Sequence, residues 1–104
     1  MIRRPPSRFK VGGTVYPVRY SHTIRRRAEP QMGELTVSGE VLLATGLDRR
    51  TELPQTLVHE LIHAADDTLG LGLSEPQVER LTIVFCALAA DNKKLLLYLI
   101  DALG

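Results

Sequence analysis

Two histidines separated by three residues constrain this chain more than any other feature of its sequence. They belong to the stretch His59–His63, which has the sequence His-Glu-Leu-Ile-His. Side chains at positions i and i+4 lie on one face of an α-helix, where two imidazoles can bind one metal ion. Glu60 then lies beside the metal, where a carboxylate can take a proton from a metal-bound water. The spacing therefore predicts a helix with His59 and His63 as zinc ligands and Glu60 as the catalytic base.

The surrounding residues predict that this helix runs from about Glu52 to Leu69. Its apolar side chains fill one arc of the helical wheel, and both histidines lie on the opposite, polar arc with Glu60 beside them. Thr51 is suited to cap its beginning and Gly70 to end it. Asp66 and Asp67 lie near its end, where the helix dipole disfavours acids, so either is a candidate to hold an imidazole by a hydrogen bond. The alternative is an exposed helix whose histidines only face water.

Two further helices are predicted after this one. Ser74–Gln77 has a serine cap, a proline in the first turn and a glutamine at the capping-box position, which indicates a helix that continues to Ala90. That helix is strongly apolar after Arg80, so we expect it in the core. Asp91 is suited to cap a third helix, Asn92–Leu103, which is too apolar for an isolated surface helix and is expected to cover the core or a partner.

The first half of the chain predicts two pairs of strands. Gly12-Gly13 supplies the positive φ angles of a two-residue turn, and Ser38-Gly39 is suited to the second turn. Because both pairs precede the helices, the expected fold class is α+β, with a small antiparallel sheet of two N-terminal hairpins and the helices packed on one side. The segment Ser21–Gly33 shows neither the helical nor the strand periodicity of apolar residues. One interpretation of it is a lid that includes His22. The predicted strands are Arg8–Val11, Thr14–Tyr20, Glu34–Val37 and Glu40–Thr45.

Length and composition predict one domain, residues 1–104, with a flexible arm at residues 1–7. With 104 residues, of which 44% are hydrophobic, the chain can form one modest core. Its apolar runs, such as Leu95–Ile100, are too short to span a bilayer, and prolines follow the first basic residues where a secretory signal would be apolar. The lone Cys86 cannot form an internal disulfide. We therefore expect a cytoplasmic protein without a membrane partner.

Charge is unevenly distributed along the chain. Residues 1–28 carry eight Lys and Arg residues and no acid, whereas residues 29–104 carry five basic and twelve acidic residues. A basic segment can attract nucleic acid or an acidic partner, or it can dock on the acidic part of its own fold. No aromatic stacking platform accompanies the charges, which argues against nucleic acid.

Two histidines leave a catalytic zinc site incomplete, since such sites usually have three protein ligands and a water. The candidates for the third ligand are Glu79, Glu75, Asp66, Asp67 and His22. Glu75 occupies the first turn of its helix, where the dipole alone explains an acidic residue. Glu79 lies one turn further, on the rim of an apolar helix that should pack antiparallel to the first. We therefore favour Glu79, with the others as alternatives.

Together these residues resemble a known family. His59–Ala64 followed by Asp66-Asp67, and then Leu69–Glu75 and Val78–Leu81, resemble small phage- and prophage-encoded proteins of the ImmA/IrrE-like metallopeptidase group. In size and layout the chain is also similar to the minimal gluzincins, and the specific part of the resemblance covers about residues 51–92. It implies a zincin-like fold with an antiparallel sheet, a metal-binding helix and a glutamate helix.

The resemblance also implies an activity and a ligand set. His59, His63 and Glu79 would bind one zinc ion per chain, and Glu60 would be the general base. In such folds a strand edge beside the metal-binding helix holds an extended peptide, and Glu40–Leu43 is our candidate for it. The side chains that remain open as stabilisers of the oxyanion are Tyr16, Tyr20, Tyr98 and His22.

We therefore expect a zinc-dependent endopeptidase. In such an enzyme zinc polarises the scissile carbonyl of the substrate, and a base carries the proton of the attacking water to the leaving amine. The alternative is a non-proteolytic phage-type regulator that binds a protein partner on a zincin-like scaffold. The intact Glu60 favours the enzyme, because a structural metal site needs no base. The expected partner is a protein or peptide, in a bacterial host cell if a phage encodes the chain, and a homodimer is left open.

Overall fold

The computed structural model describes residues 4–21, 25–26, 29–30 and 32–104. These residues form an α+β fold with a four-stranded mixed sheet, a separate two-stranded sheet and three helices, so the expected α+β class is confirmed. The strands are β1 (Arg8–Val11), β2 (Thr14–Ser21), β3 (Arg25–Arg26), β4 (Glu29–Pro30), β5 (Gly33–Leu35) and β6 (Val41–Ala44). The helices are α1 (Glu52–Leu69), α2 (Glu75–Asp91) and α3 (Lys93–Leu103).

The larger sheet has the strand order β1-β2-β6-β5. β1 and β2 form the predicted antiparallel hairpin around Gly12 and Gly13, which both have positive φ angles, and β5 and β6 also pair antiparallel. β2 and β6, however, are parallel neighbours, with Val18 opposite Val41. The prediction of a wholly antiparallel sheet is therefore wrong. Residues 22–40 between these strands are long enough for the crossover connection that parallel neighbours require.

β6 lies inside this sheet, because β2 pairs with one of its edges and β5 with the other. The prediction that Glu40–Leu43 offers a free edge to a peptide is therefore wrong, since a strand paired on both sides has no backbone groups left for another strand. The edge strands are β1 and β5. The two short strands β3 and β4 pair with each other in the segment that was predicted to follow neither period.

The core lies between the larger sheet and α1. Its buried apolar residues are Phe9, Tyr16, Val18, Val41, Leu43, Leu53 and Ala64.

Tyr16 ties the sheet to the second half of α1. Its hydroxyl lies 3.2 Å from the carbonyl oxygen of Ala64 and 2.8 Å from Oδ2 of Asp67, and it also contacts the hydroxyl of Thr68. The hydrogen bond with Thr68 lowers the pKa of Tyr16, but burial and the Asp67 carboxylate outweigh it, so the pKa is raised above its ordinary value. The neutral phenol is therefore the form that the fold stabilises.

α1 has the predicted bounds, but its beginning is capped differently from the prediction. Gly70 adopts the left-handed conformation after the last turn, and its N–H donates to the carbonyl oxygen of Asp66 (2.8 Å). At the other end, the Thr51 side chain makes no capping hydrogen bond. The carboxylate of Asp48 instead accepts from the backbone N–H groups of Arg50 (2.8 Å) and Thr51 (3.1 Å), and these bonds lower the pKa of Asp48.

α2 begins with the predicted capping box, in which Ser74 and Gln77 exchange side chain to backbone hydrogen bonds. The buried residues of α2 are Val78 and Thr82 alone, so the prediction of a core helix is wrong. The sheet and α1 already enclose the core, and α2 packs on α1 from outside. α3 follows directly after Asn92, and none of its residues is buried. Most apolar side chains of α2 and α3 are therefore exposed.

In the part of the chain that the structure describes, no helix has the length and apolar character needed to cross a bilayer. Within the predicted N-terminal arm, the carbonyl oxygen of Ser7 accepts a hydrogen bond from the N–H of Val18 (2.9 Å). Strand pairing therefore continues to the end of that segment, and residues 1–3 lie outside the described residues.

Candidate metal centre

His59, His63 and Glu75 converge at one place between α1 and α2. Nε2 of His59 lies 2.9 Å from Oε1 of Glu75, and Nε2 of His63 lies 3.2 Å from Oε2 of Glu75. The two Nε2 atoms are 3.2 Å apart, and the rings meet edge to face with their centroids 4.9 Å apart. These three side chains form a group that can hold a metal ion.

The donor atoms and their spacing suit a small divalent transition metal. In a tetrahedral site with bonds of about 2.0–2.1 Å, neighbouring ligand atoms are roughly 3.3 Å apart. The Nε2 atoms of His59 and His63 are 3.2 Å apart, which is close to that value, and each of them lies 2.9–3.2 Å from a different oxygen of Glu75. Two imidazole nitrogens also favour a transition metal over calcium or magnesium, which take oxygen ligands.

Glu75 takes the place in this group that the sequence assigned to Glu79. Glu79 lines the same cleft one turn further along α2, but it is not a member of the group. The reason lies in the linker between the two helices, residues 70–74, which runs back along α1 before α2 begins. The N–H of Leu73 in this linker donates to Oδ1 of Asp66 (3.2 Å). α2 therefore begins beside the histidines, and its first turn is the one that reaches them.

The capping box at Ser74 is the sequence signal that could have identified Glu75. It fixes Glu75 as the first residue of α2, so its position can be derived once the path of the linker back along α1 is known. The helix dipole explains why an acidic residue is favoured there. It does not explain a carboxylate that spans two imidazoles.

Glu60 is buried next to this group, with 3% of its surface exposed, and lines the same cleft. The buried residues of α1 recur every three or four positions and form one line along the helix, which consists of Leu53, Thr56, Glu60 and Ala64. The helical wheel had put Glu60 on the polar arc, but α1 is rotated so that Glu60 joins the buried line and the histidines flank it. Because burying a carboxylate is costly, this is an uncommon position for a glutamate.

The cleft has a volume of about 930 Å³ and lies between β5, α1 and α2. Met32–Leu35 form one wall, so the edge strand β5 borders the metal group. Gly33 allows β5 to approach α1 closely, since a Cβ atom at this position would lie 2.8 Å from Cγ2 of Thr56. The sheet edge next to the metal group therefore belongs to β5 and not to Glu40–Leu43.

The lining of the cleft is acidic. Besides Glu60 and Glu75 it contains Glu34, Glu52 and Glu79, and no lysine or arginine is among the described residues that line it. Oε1 of Glu52 accepts a hydrogen bond from the N–H of Asp48 (3.0 Å), which leaves Glu34 and Glu79 as the acidic side chains without an assigned structural role. The negative electrostatic potential of these carboxylates favours a positively charged ligand.

The two aspartates predicted to hold an imidazole have structural partners. Asp66 accepts from the linker N–H of Leu73, and Asp67 accepts from the Tyr16 hydroxyl. They therefore fix the linker and the sheet to α1, and they support the metal group only through the position of α1.

The candidates for stabilising an oxyanion are dispersed. The Tyr16 hydroxyl is in the core, Tyr20 lines a separate cavity of about 330 Å³, and Tyr98 is exposed on α3. None of these three tyrosines lines the cleft. His22 lies outside the described residues.

No protein-family model, curated protein or solved structure matches this chain. The class of site rests on its own geometry: two histidines and a glutamate with the spacing of metal ligands, a buried glutamate next to the first histidine, and a cleft bordered by a sheet edge.

Proposed function

We propose that this protein is a zinc-dependent endopeptidase, as its resemblance to the ImmA/IrrE-like metallopeptidases implies. The observation that carries the proposal is the convergence of His59, His63 and Glu75 on a cleft that also contains the buried Glu60. A structural zinc site is commonly closed by four protein ligands. A group of three ligands that opens on a cleft instead leaves room for water, as hydrolysis requires.

When bound, zinc supplies Lewis acidity, which polarises a carbonyl and makes a coordinated water more acidic. The chain supplies the remaining chemistry. Glu60 accepts a proton from the attacking water and then transfers it to the amine that leaves. Because Glu60 is buried, bulk water has little access to the carboxylate during this transfer. His59, His63 and Glu75 would hold the metal from α1 and α2, which leaves the side of β5 for the substrate.

β5 is our candidate for the strand that holds the substrate. It is an edge strand that lines the cleft, so an extended peptide can add to it through backbone hydrogen bonds. The acidic lining favours a peptide with lysine or arginine near the scissile bond. We expect Glu34→Gln and Glu79→Gln to lower kcat/KM several-fold for lysine-containing peptides and to leave alanine-containing peptides unchanged. Equal losses for both peptides would contradict this preference.

Metal binding is tested with a matched pair of variants on α2. Glu75→Gln and Glu79→Gln make the same change one helical turn apart in the same cleft. We expect the wild type to bind one zinc ion per chain and Glu75→Gln to weaken binding at least tenfold, or about 1.4 kcal/mol. Glu79→Gln should bind zinc as the wild type does. Isothermal titration calorimetry measures all three affinities, and weakening confined to Glu79→Gln would return the ligand role to Glu79.

Catalysis is tested with Glu60→Gln, which keeps the size of the side chain and removes the base. We expect this variant to bind zinc normally and to lose peptide hydrolysis by roughly 10²–10⁴-fold, the usual contribution of general base catalysis. Fluorogenic peptides incubated with the zinc-loaded protein provide the assay. His63→Ala is the control that should lose both zinc and activity. A wild type that binds zinc and cleaves no peptide or protein would refute the peptidase.

A non-proteolytic regulator on the same scaffold is the second candidate. The exposed apolar side chains of α2 and α3 favour it, because large apolar surfaces mark interaction sites. Such a regulator would keep its effect on a protein partner in Glu60→Gln, whereas a regulatory peptidase would lose it.

A further inference from the structure

The described chain leaves an apolar stripe exposed on each of its last two helices. We refer to the two stripes together as the α2–α3 face. Its side chains are between 38% and 83% exposed, and they are Leu81, Val84, Phe85 and Leu88 of α2 and Leu95, Leu99, Ile100 and Leu103 of α3.

The residues of this face lie on one side of each helix. On α2 they recur at intervals of three or four residues, roughly opposite Glu79 and Ile83, which line the cleft. On α3 the opposite side carries Lys94 and Asp101 together with the exposed Leu97 and Tyr98.

The exposed area of this face is sufficient for a stable interface. Taking about 150 Å² for a fully exposed side chain of this size, the eight exposures correspond to roughly 650 Å² of apolar surface. The largest apolar patch on a typical monomer is about 300–600 Å². Homodimer interfaces are about 65% apolar, so a face of this size predicts roughly 1,000 Å² buried per copy. A standard stable interface buries about 800 Å² per partner.

We propose that a second copy of this chain covers the α2–α3 face. A twofold dimer requires a surface that is complementary to itself, and a stripe of leucines on a helix meets the same stripe of another copy by ordinary helix packing. The charges beside the face are mixed in sign and consist of Arg80, Asp91 and Lys93. A lipid surface is instead bound by helices whose polar side is rich in Lys and Arg.

This dimer leaves both clefts accessible. The cleft-lining side of α2 and the α2–α3 face point in different directions, so the second copy covers neither the metal group nor β5. Dimerisation is therefore independent of the proposed peptidase activity, and each proposal can fail without the other.

Analytical ultracentrifugation of the full chain, with and without zinc, tests the dimer. We expect the wild type to have the mass of two 11.6 kDa chains. Leu88→Lys and Leu99→Lys introduce a charge into the face on α2 and on α3, and each should raise the dissociation constant at least tenfold. Val37→Lys is the matched control, because Val37 is a fully exposed apolar residue in the turn between β5 and β6. It should remain dimeric.

Each outcome of this experiment bears on the proposal. All three variants replace exposed side chains, so their circular dichroism spectra and zinc affinities should equal those of the wild type, which shows that they are folded. A dimer lost in Leu88→Lys and Leu99→Lys and kept in Val37→Lys supports the interface. A monomeric wild type, a dimer that survives both leucine variants, or a monomer that binds vesicles of anionic lipid overturns it.

Discussion

Gly33→Ala tests the contact between the edge strand β5 and α1, the helix that carries His59 and His63. A Cβ atom at this position would lie 2.8 Å from Cγ2 of Thr56 and 3.2 Å from Cδ2 of Leu43. Carbon atoms in normal contact are about 3.5–4.0 Å apart, so β5 and α1 would have to separate by roughly 1 Å. The Thr56 methyl group cannot easily rotate away, because the hydroxyl on the same carbon donates to the carbonyl oxygen of Glu52 (2.7 Å).

The expected magnitude follows from two opposing effects. Overpacking of a close contact costs about 1–3 kcal/mol. Replacing glycine by alanine also restricts the unfolded chain, which stabilises the protein by roughly 0.4–1 kcal/mol. We therefore expect Gly33→Ala to lower the free energy of unfolding by about 1–2 kcal/mol. β5 is short and paired on one side only, so it should be the element that moves. Peptide hydrolysis should fall while zinc binding is kept, because the three ligands lie on the helices.

Thr56→Ser completes a double-mutant cycle. It removes Cγ2, retains the hydroxyl and should cost about 1 kcal/mol by itself. In the double variant the new methyl group takes the space of the deleted one, so the two effects should be coupled favourably by at least about 1 kcal/mol. Urea unfolding followed by circular dichroism gives the four free energies, with a chelator present so that metal binding does not contribute. Effects that add to within about 0.5 kcal/mol would refute the contact of β5 with Thr56.

Three further predictions concern the elements that hold the site in place. Tyr16→Phe should lower the free energy of unfolding by about 1–2 kcal/mol, measured by urea unfolding, because the hydroxyl joins the sheet to α1. The pKa of Tyr16 is raised, so the Tyr16 hydroxyl contributes fully to the free energy of unfolding at a pH below 10.0, the ordinary pKa of tyrosine. This contribution is lost as the pH rises through the pKa of the folded state, so Tyr16→Phe should lose less stability in alkali than the wild type. Asp48 has a lowered pKa, so its contribution is present above its ordinary value of 3.8 and lost as the pH falls through the folded-state value; Asp48→Asn should flatten acid unfolding curves in this range. Ser74→Ala should cost about 0.5–2 kcal/mol and weaken zinc binding in calorimetry, because the capping box fixes the turn that carries Glu75, whereas unchanged zinc affinity would show that this turn forms without the cap.

The features of the fold that could be predicted are those with local causes. The bounds of α1 follow from its periodicity and from Gly70, and the start of α2 follows from the capping box at Ser74. The first hairpin follows from Gly12 and Gly13. The parallel pairing of β2 with β6 depends instead on how residues 22–40 return across the sheet, and no local pattern determines that path. The exposure of α2 likewise depends on the sheet and α1 having already enclosed the core.

The same division applies to the candidate site. His59, Glu60 and His63 could be identified because their spacing is set by one helix. The placement of Glu75 in the metal group depends on the hydrogen bond between Leu73 of the linker and Asp66 of α1, which no local sequence pattern predicts. The burial of Glu60 depends on the rotation of α1 against the sheet, and the helical wheel alone cannot supply that angle.

The core is formed by the sheet and α1, whereas the third candidate ligand, Glu75, lies on α2 outside that core, and this affects local opening of the fold. Every residue of the core cluster precedes residue 65, whereas Glu75 lies on a helix that buries only Val78 and Thr82. We expect amide hydrogens of α2 and α3 to exchange through openings that leave β6 and α1 intact. Bound zinc would then slow amide exchange most at the beginning of α2, because it would connect that turn to α1. Zinc binding would therefore order α2 against a sheet and an α1 helix that are already folded.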